Sequence, residues 1–98
     1  MFEVRQTLEF EKWLKGLADP RAAKRIAQRI VRVQAGLLGD VKFFDAIGEL
    51  RIDYGPGYRV YFVRRGRVVV ILLCGGDKSS QKRDIKRAIE MARALNKE

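Results

Sequence analysis

Three short runs in the middle of this 98-residue chain constrain its fold more than anything else in it. Glu49-Leu50-Arg51-Ile52-Asp53-Tyr54 alternates polar and apolar residues, as a half-buried strand does. Gly55-Pro56-Gly57 then turns the chain, and Tyr58 to Val63 returns along it. Arg65-Gly66 turns it a second time, and Val68 to Cys74 follows without a polar residue. An unbroken apolar run suits a strand covered on both faces. The three runs make an antiparallel meander.

Strand period sorts the meander into two faces. With Gly55-Pro56-Gly57 as the loop, Asp53 is expected opposite Arg59 and Arg51 opposite Tyr61. With Arg65-Gly66 as the second turn, Tyr61 is expected opposite Val70 and Arg59 opposite Leu72. One face then carries Leu50, Ile52, Tyr54, Tyr58, Val60, Phe62, Val69, Ile71 and Leu73 as core. The other offers Glu49, Arg51, Asp53, Arg59 and Tyr61, with Val70, Leu72 and Cys74 behind them.

Helices are expected on either side of the meander, after a short strand at Phe2 to Arg5. Thr7 can cap a first helix that buries Phe10, Trp13, Leu14 and Leu17. Asp19-Pro20 starts a second, with Ala23, Ile26, Ile30, Val33 and Leu37 along one stripe. Arg21, Lys24, Arg25, Gln28, Arg29 and Arg32 cover the rest of its surface, and Gly36 and Gly39 mark its end. Val41 to Ile47 reads as a loop or edge strand. A last helix from about Ser79 to Leu95 buries Ile85, Ala88, Ile89, Ala92 and Leu95.

The net charge of +9 favours a polyanionic partner, nucleic acid or an acidic protein. Residues 21–38 carry five basic side chains and no acidic one, whereas residues 39–57 are slightly acidic, so the charge reads as a face. Arg51 and Arg59 on one stiff surface suit a phosphodiester, because a guanidinium donates to two phosphate oxygens and stays protonated. The same spacing also suits plain cross-strand pairing of Asp53 with Arg59. Gly75-Gly76-Asp77-Lys78-Ser79-Ser80 leads from the last strand into a helix, where free N–H groups attract anions, although the Walker spacing is absent.

Histidine is absent, which excludes a histidine base, a histidine metal ligand, and Ser-His or Cys-His nucleophiles. Acid–base chemistry falls to Glu, Asp, Lys or Tyr. No cofactor or metal is implied. The lone Cys74 reads as a buried structural thiol. The longest apolar run is too short for a bilayer, and Met1-Phe2-Glu3-Val4-Arg5 lacks the order of a signal peptide, so a cytoplasmic protein without membrane contact is expected. The length suits a single domain over residues 1–98.

Phe10…Lys12-Trp13-Leu14…Leu17-Ala18-Asp19, Ala23…Arg25-Ile26…Arg29-Ile30 and Gly39-Asp40-Val41-Lys42 resemble segments of a known group. So do Glu49 to Phe62 and Leu72-Leu73-Cys74-Gly75-Gly76-Asp77-Lys78-Ser79-Ser80-Gln81…Arg83-Asp84-Ile85. That group is the HigB-like "addiction module killer protein" branch of the RelE/ParE toxins. The resemblance implies an α+β, RelE-like fold: an N-terminal helical hairpin packed on an antiparallel sheet of about four strands, with a C-terminal helix. It implies a type II toxin–antitoxin toxin that cleaves mRNA in the ribosomal A site and is neutralised by a small helix-turn-helix antitoxin. The RNA 2′-hydroxyl attacks the adjacent phosphate in such an endoribonuclease.

By position, Arg59 matches the transition-state arginine, and Arg51 and Lys42 match basic residues nearer the sheet's edge. Lys78 falls where relatives carry a residue just before the last helix. On this reading Arg51, Arg59 and Lys78 hold the phosphate, and Glu49, Asp77 and Lys42 are the candidates for proton transfer. Tyr61 is the candidate for stacking on a base, and Arg25, Arg29 and Arg32 for contacts to ribosomal RNA. Several RNA-cutting relatives use histidine or a C-terminal tyrosine as acid or base, and this chain has neither. A ParE-like gyrase poison shares the scaffold without cutting RNA, and a basic module docking an acidic partner is a third alternative.

Overall fold

The computed structural model describes residues 1–96. Its strands are β1 (Glu3–Gln6), β2 (Val41–Phe44), β3 (Ile47–Ile52), β4 (Tyr58–Arg65) and β5 (Val69–Gly76). The helices are α1 (Leu8–Lys15), α2 (Pro20–Gln34) and α3 (Gln81–Asn96), the last preceded by a 3-10 turn over Lys78–Ser80. The sheet has five strands in the order β1-β5-β4-β3-β2. β1 runs parallel to β5 and every other pair is antiparallel, so the sheet is mixed and one strand larger than expected. No helix among the described residues is long and apolar enough to cross a membrane.

Local chemistry starts each helix where the sequence suggests. The Thr7 hydroxyl accepts the Phe10 N–H at 3.0 Å and donates to the Leu73 carbonyl at 2.6 Å, fixing the start of α1 on β5. Asp19 accepts the Arg21 N–H, and Pro20 occupies the first turn of α2. This helix buries Ala22, Ile26, Ile30 and Val33. The stripe thus runs through Ala22 rather than Ala23, and Leu37, beyond the helix end, is 63% exposed.

The sheet lies between two apolar layers. Phe10, Ile26, Ile30 and Val33 of the helical hairpin pack on Leu50, Ile52, Val60, Phe62, Val70 and Leu72. On the other face, Ala88 and Ala92 of α3 pack on Ile47, Tyr61, Val63, Leu73 and Cys74. Burial pushes the Cys74 thiol up to about 12, so it stays protonated and unreactive.

The register corrects two expectations. Arg51 stands opposite Arg59, and Glu49 opposite Tyr61, because the β3–β4 loop is two residues longer than a Gly55–Gly57 turn. A shift of two preserves the side of the sheet, so Glu49, Arg51, Arg59 and Tyr61 still share a face. In β5, Tyr61 pairs with Cys74 but Phe62 with Leu72, which leaves Leu73 as the extra residue of a bulge. The β4–β5 turn takes in Gly66 to Val68 rather than Arg65-Gly66, and this odd change flips the parity: Val70 and Leu72 point to the hairpin, whereas Ile71 and Leu73 point to α3. The bulge then returns Cys74 to the side of Tyr61.

Candidate phosphate-binding site

Cross-strand pairing sets Arg51 directly against Arg59 on the α3 face, beyond the end of that helix. Like charges so placed repel, and the carboxylate of Glu49 lies between them. Its Oε1 accepts from Arg51 Nε at 3.1 Å, and its Oε2 lies 4.0 Å from Arg59 Nε. Oε2 also accepts from the Tyr61 hydroxyl and from Gln81 Nε2, each at 3.0 Å. Glu49 is fully buried, which is tolerable only because its oxygens are met by donors and cations.

The two arginines differ in access. The Arg51 side chain is 35% exposed and that of Arg59 13%. Arg59 folds back so that Nη1 donates to the Gly57 carbonyl at 2.6 Å. Gly57 permits this: its φ is +78°, and a Cβ there would lie 2.7 Å from that nitrogen. Arg59 Nε is buried and has no hydrogen-bond partner among the described residues. Lys78 is exposed, and its backbone N–H reaches the Pro56 carbonyl across the same loop.

Arg51, Arg59 and Lys78 line one open cavity of about 300 Å³, together with Asp40 and Asp53. The three cations expected to converge do converge. Of the two carboxylates at the cavity, Asp53 is one that strand period already places on the arginine face, whereas Asp40 is not singled out by the sequence. Asp53 was expected to face Arg59 within a strand, but it follows the end of β3, and Asp40 precedes β2.

Other expected members stand differently. Tyr61 is fully buried with its hydroxyl on Glu49, so its ring offers no surface to a base. Burial, then the Glu49 charge, pushes its phenol well above the ordinary value, which leaves it a hydrogen-bond donor. Glu49 itself has no solvent-facing surface for exchanging a proton with substrate. Asp77 caps the 3-10 turn, accepting from Ser79 N–H at 2.8 Å and Ser79 Oγ at 2.5 Å. Those bonds, the hydroxyl's first, hold its carboxyl below the usual range, so it is not a proton donor near neutral pH. Lys42 lies opposite Glu49 on the neighbouring strand, with its Nζ 5.0 Å from the Phe44 ring centre.

Gly75 and Gly76 belong to β5 and are not an anion loop. A Cβ at Gly75 would lie 2.4 Å from the Trp13 ring, and one at Gly76 would lie 1.9 Å from Asp84 Oδ2. Both are glycines because other side chains fill the space.

A second cavity of about 500 Å³ runs along α2, lined by Arg25, Gln28, Arg29, Arg32, Ile52 and Asp53. Ile52 and Asp53 line both cavities, so the basic helix continues into the arginine site. Arg25 stacks on the Tyr54 ring at 5.0 Å, and Arg32 is exposed. Arg29 does something else. Its guanidinium donates to the carbonyls of Leu38, Asp40 and Arg51, at 2.5–3.1 Å, and is spent on the fold. Burial lowers its pKa from the ordinary arginine value. Among the described residues, no group of three or more Cys, Asp or Glu is arranged to hold a metal ion.

The chain is 51% identical over 94 residues to an uncharacterized protein of Haemophilus influenzae Rd, covering 95% of each chain. Residues 12–97 match the family model described as phage derived protein Gp49-like (DUF891). This span takes in the basic helix, the meander and all three cations of the cavity, and on it the chain belongs to the phage-derived Gp49-like family.

Proposed function

We propose that the protein is the toxin of a type II toxin–antitoxin module and acts as a ribosome-dependent mRNA endonuclease. One observation carries this reading: Arg51, Arg59 and Lys78 meet at a cavity large enough for a ribose-phosphate link. Membership of the Gp49-like family, which is toxin-like and related to RelE and HigB, agrees with it. The continuous basic groove along α2 favours an extended polyanion over a small phosphate.

In this mechanism the RNA 2′-hydroxyl attacks the adjacent phosphorus, and the bond to the 5′-oxygen breaks, leaving a cyclic phosphate. Arg51 and Lys78 hold the non-bridging oxygens. Arg59, at the cavity wall, offsets the charge that grows on the phosphorane. The carboxylates of Asp40 and Asp53, at the cavity wall, are the groups in position to take the 2′-hydroxyl proton. Lys78 can return one to the leaving oxygen.

A second reading is a ParE-like poison of DNA gyrase. The burial of Tyr61 and Glu49 and the capping role of Asp77 favour it, since they remove three conventional proton carriers. Induced expression, followed by translation, mRNA integrity and plasmid supercoiling, separates the two. Cuts confined to translated messages, absent in Arg59→Ala, are the expected outcome. Altered supercoiling with intact mRNA defeats the nuclease reading. On either reading, the basic surface calls for an antitoxin with an acidic inhibitory segment, which co-purification with the neighbouring small gene product tests.

A further inference from the structure

We propose that Glu49 is the positioning residue of the arginine cavity, and that it reaches no substrate itself. The inference deepens the phosphate-binding reading above but stands on its own geometry. Arg51 and Arg59 are cross-strand partners, so their guanidiniums repel and would splay toward solvent if nothing lay between them. Glu49 gives one oxygen to each: Oε1 to Arg51 Nε at 3.1 Å, and Oε2 facing Arg59 Nε at 4.0 Å. Both contacts use Nε, which leaves the terminal nitrogens of Arg51 free to point into the cavity.

The carboxylate is itself held from below. Tyr61 on β4 and Gln81 in the first turn of α3 both donate to Oε2 at 3.0 Å. The arginine pair is thereby locked within its own two strands and to one further element, α3, and an exposed cationic surface becomes a preorganised one. A phosphate entering the cavity meets two guanidiniums already fixed at its wall.

Glu49→Gln tests this, because it keeps the volume and removes the charge. The readouts are the 15N signals of the arginine side chains and titration with inorganic phosphate, beside thermal unfolding. In the unaltered chain, Arg51 and Arg59 should show slowed Nε–H exchange and hindered guanidinium rotation; freely averaged signals overturn the proposal even if the variant does not fold. In folded Glu49→Gln, Nε–H exchange of both arginines should quicken at least tenfold, and phosphate affinity should fall about tenfold. Unchanged arginine signals in that variant refute the positioning role. If the unaltered chain binds no phosphate, the phosphate reading fails, while the arginine signals still decide the role of Glu49.

Discussion

The ring of Trp13 lies so close over the backbone of Gly75 that a Cβ on that glycine would come within 2.4 Å of it. The contact joins α1 to the end of β5 that carries the chain toward Lys78. Gly75→Ala should therefore destabilise the fold by about 1–3 kcal/mol, the usual cost of overpacking. In a Trp13→Leu background the penalty should shrink. Urea unfolding of the four proteins in this cycle measures the coupling. An equal penalty in both backgrounds rules out the steric explanation.

Arg59 should be the least replaceable member of the cavity. Removing one preorganised donor from a charge-stabilising site costs about 10²–10³ in rate, or roughly 3–4 kcal/mol. Arg59→Ala should lose growth arrest and mRNA cleavage to that degree and still fold. Arg59→Lys should recover little, because a lysine has no planar fork to reach two oxygens. Full cleavage by the lysine variant would mean that simple positive charge suffices.

Tyr61→Phe separates the two roles considered for that residue. Its hydroxyl donates to buried Glu49, so the change should cost about 1–3 kcal/mol in urea unfolding. The ring remains, and a stacking role would leave stability untouched. Loss of RNA binding at full stability would contradict the buried position.

Much of the site was legible because strand period is robust to even shifts. Glu49, Arg51, Arg59 and Tyr61 were expected on one face and lie there, although their partners differ by two residues. An odd shift is less forgiving. The β4–β5 turn is one residue longer than Arg65-Gly66 and turns Val70 and Leu72 to the opposite side, and nothing local to an all-apolar run announces where its pairing starts or where it bulges. Gly75-Gly76 looked like an anion turn because sequence shows a missing side chain and not what fills the gap. Tyr61 looked available because the packing of α3 over β4 links residues far apart in the chain.

Arg29 divides the basic helix into binding and structural residues. Its guanidinium holds three backbone carbonyls that join α2 to the loop before β2 and to the end of β3. Arg29→Ala leaves those acceptors unmatched, and should cost about 2 kcal/mol or more. Arg25→Ala and Arg32→Ala should each leave thermal stability nearly unchanged. Each should also flatten the salt dependence of RNA binding by roughly one phosphate contact, a slope change of about 0.7–0.9. A stable Arg29→Ala with the same flattened slope would return Arg29 to the binding face.

Asp77 provides a pH test of a cap against a proton carrier. Its carboxyl is held below the ordinary 3.8 by Ser79, so the folded state favours the ionised form. The stability this adds is complete above the unfolded carboxyl's value and is lost as pH falls through the lower, folded one. Asp77→Asn cannot titrate, so the gap in urea midpoint between the two proteins should be constant at neutral pH and close below about pH 4. Asparagine still caps a helix, so the variant should fold and retain cleavage at neutral pH. Full stability with cleavage abolished would instead make Asp77 part of the chemistry, acting on the substrate rather than on Ser79.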